Sequence, residues 1–178
     1  QGKFVLAVGT LEPRKNIPTL IEAFNNIAPS HDVELVLAGP IGWGVAPEEL
    51  LASLDEAAKN KIRIIGEVTT AQLAALYTDA SAFCYPSLLE GFGLPVLEAM
   101  SYKTPVVTSK GTATEEVAGD AALMVDPASV DEVSDALDFL LTSESDAQKL
   151  ADRGYQRSKT FSWDATAAAT VDVYRKLT

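Results

Sequence analysis

The sequence predicts an α/β fold: a doubly wound six-stranded parallel sheet with helices on both faces and extra helices at the C-terminal end. Three observations carry this. Apolar runs alternate with amphipathic helical segments, each run is continuously apolar, and the pattern becomes wholly helical after the sixth run. A strand that alternates apolar and polar residues buries one face, whereas a continuous run buries both, as in parallel sheets covered by helices.

The strands read, in order, KFVLAVG at 3–9, VELVLAG at 33–39, IRIIG at 62–66, SAFCYPS at 81–87, PVVTS at 105–109 and AALMVD at 121–126. Helical periodicity fills the gaps at about 17–28, 47–60, 70–79, 94–102 and 113–118, each segment entered through a Pro, Thr, Asn or Gly. Three further helices are expected at 129–142, 145–159 and 162–177. The last is Ala-rich, and two roles stay open for it: a covering helix of this sheet, or a helix that packs on a second domain.

Composition bounds the function. With 178 residues, 47% of them hydrophobic, the chain has the material for one compact domain. A net charge of -11 argues against nucleic acid or an anionic membrane surface as the main partner, so an anionic ligand would need a locally basic pocket. Cys84 is the single cysteine, which excludes an intrachain disulfide and a cysteine-based zinc site and fits a reducing, cytoplasmic setting. No apolar run approaches the roughly 20 residues of a membrane helix. The chain enters FVLAVG almost at once, as a piece of a longer protein would.

In a Rossmann-like sheet of order 3-2-1-4-5-6, ligands bind beyond the carboxyl ends of strands 1 and 4, where the winding reverses. The loops there are GTLEPRKN (9–16) and SLLEGFGLP (87–95). Arg14 and Lys15 stand just before a helix entered at Asn16 and Pro18, where free backbone N–H groups already favour an anion. Two cations there suit a diphosphate, although a polar-loop Arg–Lys pair is equally read as solvated. In the second loop Gly91 and Gly93 allow close backbone approach, and Leu94 and Pro95 open the next helix. Glu90 and Glu98 flank this turn. Carboxylates repel phosphate but accept from sugar and ribose hydroxyls; Glu98 also complements the dipole of its own helix.

Glu90 and Glu98, with seven residues between them in EGFGLPVLE, resemble the E-x7-E motif of retaining family 4 glycosyltransferases of the GT-B fold (glycosyl transferases group 1). GTLEPRKN followed by LIEAF, ELVLAGP, IRIIGEV, PVVTS and GDAALMVDP resemble that family in the same order. The likeness covers essentially the whole chain, but only the C-terminal, donor-binding half of such enzymes. It implies that Lys15, with Arg14, binds the donor diphosphate, that Glu98 holds the ribose hydroxyls, and that Glu90 contacts the transferred sugar. It further implies that Gly9 lets the first loop pass close to the phosphates, that Gly91, Phe92, Gly93 and Leu94 face the sugar and phosphates, and that Gly66, Glu67 and Val68 line the base. Thr10 departs from the pattern, since many relatives carry arginine directly after the loop glycine.

The resemblance implies transfer of a hexosyl group from a nucleoside diphosphate sugar, with GDP-mannose the guess from the EPRKN loop. Retention, no cofactor and no metal are expected, and no DxD-type metal motif is present. The acceptor is undetermined; its site, and any membrane contact at the inner face, would belong to the absent N-terminal domain, so the isolated domain would be inactive. Two other classes stay open: an epimerase or phosphorylase of the same fold, and a nonenzymatic nucleotide-binding module, although no GxGxxG follows strand 1. Elsewhere His31 reads as a surface histidine, Cys84 as a small buried hydrophobe, Trp43 as a loop residue with a minor claim on the ligand or missing domain, and 112–116 as a solvated helix start, the other reading being a run that reaches the donor sugar's side of the cleft.

Overall fold

A computed structural model describes residues 2–44, 46–52 and 54–177. Six strands, β1 (Lys3–Val8), β2 (Val33–Ala38), β3 (Ile62–Gly66), β4 (Ala82–Tyr85), β5 (Val106–Ser109) and β6 (Leu123–Val125), form one sheet in the order β3-β2-β1-β4-β5-β6. Every neighbouring pair is parallel, with Leu6 of β1 level with Val36 of β2 and Phe83 of β4. The fold is the expected Rossmann-like one, and the winding reverses between β1 and β4.

Alternation along each strand divides the core. Val5, Ala7, Leu35, Leu37, Cys84 and Val107 face one side, where α1 (Ile17–Ile27) and α7 (Val130–Thr142) cover them. Leu6, Val36, Phe83, Tyr85 and Val106 face the other, under α4 (Thr70–Asp79), α5 (Leu94–Ser101) and α6 (Ala113–Ala118). Helix α1 shows why its sequence is helical: Ile17, Leu20, Ile21, Phe24 and Ile27 recur at intervals of three and four and are all buried. Helix α8 (Glu144–Ser158) closes the α5 side, where Gly154 lies so near Met100 that a methyl group would sit 3.0 Å from its Cγ.

Two expectations need correction. The helix expected over 47–60 is two short ones, α2 (Pro47–Leu51) and α3 (Glu56–Lys59). Asp55 starts the second by accepting a hydrogen bond from the Ala58 amide at 2.8 Å, a cap the periodicity did not reveal. The strands around β4 and β6 are also shorter than their apolar runs, which continue into loops. The last helix, α9 (Trp163–Leu177), is formed as expected but buries none of its residues.

Beyond the sheet, the β1 and β2 loops cross at glycine. Gly39 has φ +140°, and a Cβ there would stand 2.2 Å from the carbonyl oxygen of Gly9. Neither atom belongs to a flexible side chain, so the clash has no cheap relief. Gly39→Ala is expected to lower unfolding free energy by about 2–4 kcal/mol, read from urea denaturation; a loss below about 0.5 kcal/mol would show that the two loops need not touch.

Candidate functional site

The carboxyl ends of β1 and β4 bring the two singled-out loops together. After Gly9, at φ +140°, the first loop makes a 3-10 turn over Pro13–Lys15 and enters α1 through Asn16, held left-handed at φ +57°. The Leu88 amide donates to the Arg14 carbonyl at 2.9 Å, and the Arg14 guanidinium donates to the Leu89 carbonyl at 2.9 Å. Asn16 does not cap α1 with its side chain. Its amide instead donates to the Pro86 carbonyl at 3.1 Å and the Pro127 carbonyl at 2.6 Å, tying three loops in one knot.

Inside that knot sits a group of charges. Glu90 spans both cations, one carboxylate oxygen 2.8 Å from Lys15 Nζ and the other 2.6 Å from an Arg14 nitrogen. Lys15 also donates to the Tyr85 hydroxyl, and Arg14 meets Glu12 at 2.6 Å. Lys15 and Glu90 side chains are only 10% and 8% exposed, whereas that of Arg14 is 38% exposed. Burial disfavours the charged Glu90, but hydrogen bonds from Lys15 and Tyr85, and the Lys15 charge, outweigh it and hold its pKa below the usual carboxylate value. Burial and the neighbouring Glu90 push the Tyr85 hydroxyl pKa up, so this group stays protonated. A solvated Arg–Lys pair is therefore the wrong description of Lys15.

Gly9 lets the Lys15 stem lie against the loop: a Cβ at residue 9 would stand 3.1 Å from Lys15 Cε. Thr10 turns toward the neighbouring loop, where its methyl would be 2.5 Å from a Cβ built on Gly42. Arg14 bonds to Glu12, Leu89 and Glu90.

The second acid has different company. Glu98, in α5, accepts from the Tyr77 hydroxyl of α4 at 3.0 Å. Tyr77 is clamped between Tyr102, stacked at 5.7 Å, and Phe83, edge-on at 5.5 Å. Its carbonyl accepts from Thr104 at 2.6 Å. Helix α5 begins at Gly93, φ +103°, where a Cβ would come within 2.7 Å of the Thr114 methyl. Gly91 faces open space, Phe92 meets Phe161 edge-on at 6.0 Å, and Leu94 is exposed. Gly66, at φ +69°, accepts from the Gly39 amide at 2.8 Å, while Glu67 is exposed and Val68 packs partly into the α4-side core.

Several readings change. Thr114 is wholly buried and hydrogen-bonded to Thr108 and Thr112 through its hydroxyl, so the start of α6 is not a solvated face, although Glu115 and Glu116 are exposed. His31 lies at the surface as expected, and its ring meets the exposed Asp138 of α7 at 2.7 Å. Cys84 is fully buried, and burial pushes its thiol pKa up. Trp43 is exposed. The sequence reading missed Tyr85, Tyr77 and Asn16 as site-building groups, because buried tyrosines in apolar runs look like core. A groove of about 550 Å³ lies elsewhere, between α4 and the amino ends of β1 and β2, and touches only Val68 of the candidate residues.

A family model described as glycosyl transferases group 1 matches residues 1–157. The chain is 39% identical over 178 residues to the O-antigen chain mannosyltransferase B of Escherichia coli, covering 98% of this chain and 46% of that protein. It is 36% identical over 177 residues to the MMP alpha-(1->4)-mannosyltransferase of Mycolicibacterium hassiacum, covering 97% and 43%. It also superposes on the C-terminal domain of a glycosyl transferase group 1 family protein (LpcC) from Francisella tularensis, with a TM-score of 0.76, 27% identity and coverage of 89% and 86%. The chain thus spans less than half the length of the two mannosyltransferases. It belongs to the glycosyl transferases group 1 family and has the fold of the C-terminal domain of GT-B glycosyltransferases.

Proposed function

We propose that residues 1–178 are the donor-binding domain of a retaining hexosyltransferase, working with an N-terminal domain that holds the acceptor. The observation that carries this reading is the convergence of Lys15, Arg14 and Glu90 beyond β1 and β4. The donor is a nucleoside diphosphate sugar; the names of the two mannosyltransferase relatives favour mannose as its sugar, and GDP is taken as the nucleotide from the likeness of the EPRKN loop.

In this reading Lys15 and Arg14 bind the diphosphate, supported by the backbone of Gly9, Thr10 and the Gly91–Leu94 turn, Phe92 and Gly93 included. Glu90 accepts from hydroxyls of the transferred sugar, Glu98 from the ribose, and the Gly66–Val68 segment with Glu67 borders the base. The costly feature of the reaction is negative charge growing on the departing diphosphate. Two positioned cations in a partly desolvated site stabilise that charge more in the transition state than in the ground state, so the reaction needs no further cofactor or metal. Glu90 lies against the cations and Glu98 against Tyr77, and in this reading the two acids divide sugar and ribose between them instead of acting as a hydrolytic pair. Closure of the N-terminal domain excludes water, and the domain alone binds the donor without transferring it. The enzyme is placed in the cytoplasm, with any contact to the inner face of the membrane made by the N-terminal domain; no described helix of this chain is long and apolar enough to cross a membrane.

Lys15→Ala removes one charge-assisted contact of about 1.5–3 kcal/mol and should weaken GDP-mannose binding roughly ten- to a hundredfold by calorimetry; unchanged affinity refutes the diphosphate assignment. Glu98→Gln should weaken GDP about tenfold while leaving 2′,3′-dideoxy-GDP nearly unaffected. Equal losses for both nucleotides would remove Glu98 from the ribose.

A further inference from the structure

We infer that Glu90 is an internal counter-anion which makes the site select a sugar-bearing diphosphate over a bare one. This rests on the donor reading above and goes beyond it, because it assigns Glu90 a role opposed to phosphate as well as one favourable to sugar.

Lys15 and Arg14 supply two positive charges; Glu90 and Glu12 supply two negative ones at 2.6–2.8 Å. The cluster is formally neutral, and it sits in a chain of net charge -11. Such a cluster has little field with which to draw in a diphosphate. The donors a phosphate needs are the ones Glu90 already uses, one oxygen on each cation. Diphosphate therefore enters by exchange: Glu90 releases Lys15 and Arg14, and the cluster gains one positive charge.

The released carboxylate decides selectivity. Its side chain is 8% exposed, so water is a poor substitute for the partners it loses. Tyr85, held protonated beside it by burial, supplies one donor but cannot replace two cations. A bare nucleoside diphosphate takes both cations and leaves Glu90 under-satisfied next to like charge. A nucleotide sugar takes the same cations and returns hydroxyl donors to Glu90. The penalty therefore falls on the ligand without the sugar, a repulsive device of the sort specificity commonly needs. After the sugar departs the same competition acts in reverse, with Glu90 reclaiming Lys15 and Arg14 and displacing the spent nucleotide.

The test is calorimetric titration of wild-type chain and Glu90→Gln with GDP, GDP-mannose and inorganic pyrophosphate, the last needing no base recognition. Glu90→Gln should bind GDP and pyrophosphate about tenfold tighter, the scale of one charge-assisted contact, and should bind GDP-mannose no tighter or more weakly, so the preference for the sugar-bearing ligand shrinks. Glu90→Asp, whose shorter carboxylate spans the two cations poorly, should shift GDP in the same direction and serves if the Gln variant does not fold. Unchanged or weaker GDP and pyrophosphate binding in a folded variant overturns the exchange while leaving the donor site standing. A wild-type chain that takes up none of the three ligands overturns the donor reading and this inference together.

Discussion

A single carboxylate bridging two cations holds this site in shape. Glu90 reaches from the β4–α5 loop to Lys15 and Arg14 of the β1–α1 loop, and one backbone bond from Leu88 to Arg14 runs beside it. Neither loop has a regular ladder to fix it. The ion pairs are shielded enough for geometry to matter, because Lys15 and Glu90 have lost most of their contact with water. Removing either partner would leave the other charged and poorly solvated. The sheet contributes by bringing β1 and β4 side by side, so that residues 75 apart in sequence share one pocket.

That arrangement also accounts for the supporting groups. Tyr85 closes β4 with its hydroxyl on Lys15, and Tyr77 plays the matching part for Glu98 from α4. Phe83 lies between the two tyrosines, 5.5 Å from one ring and 5.7 Å from the other. Each acid of the pair thus leans on a phenol fixed by packing. For Glu98, which rests on Tyr77, this rigid aromatic support fixes the carboxylate through a hydrogen bond.

Much of this was legible before any coordinates. The six strands could be read because burial on both faces forces continuous apolar runs; their order was an assumption taken from the common doubly wound pattern, which the sheet has. The charged partners were legible as residues of two loops at the switch point. What stayed hidden is what depends on distance along the chain. Asn16 looked like a helix cap, yet it bonds carbonyls at Pro86 and Pro127; His31 looked like a surface residue and is one, but its partner Asp138 lies far along the chain. Tyr77 and Tyr85 carry no local mark separating a working hydroxyl from a core ring. The break in the helix expected at 47–60 turned on a single cap, Asp55.

Helix α9 has a consequence for where this domain ends. Trp163, Val173, Tyr174 and Leu177 all stand largely in water, and the helix buries nothing of its own. A helix of about fifteen residues with no tertiary burial is marginal, since nucleation costs more than its hydrogen bonds return. The core described above thus gains no buried side chain from α9. The helix content of residues 163–177 therefore owes more to what lies against them than to burial within this sheet.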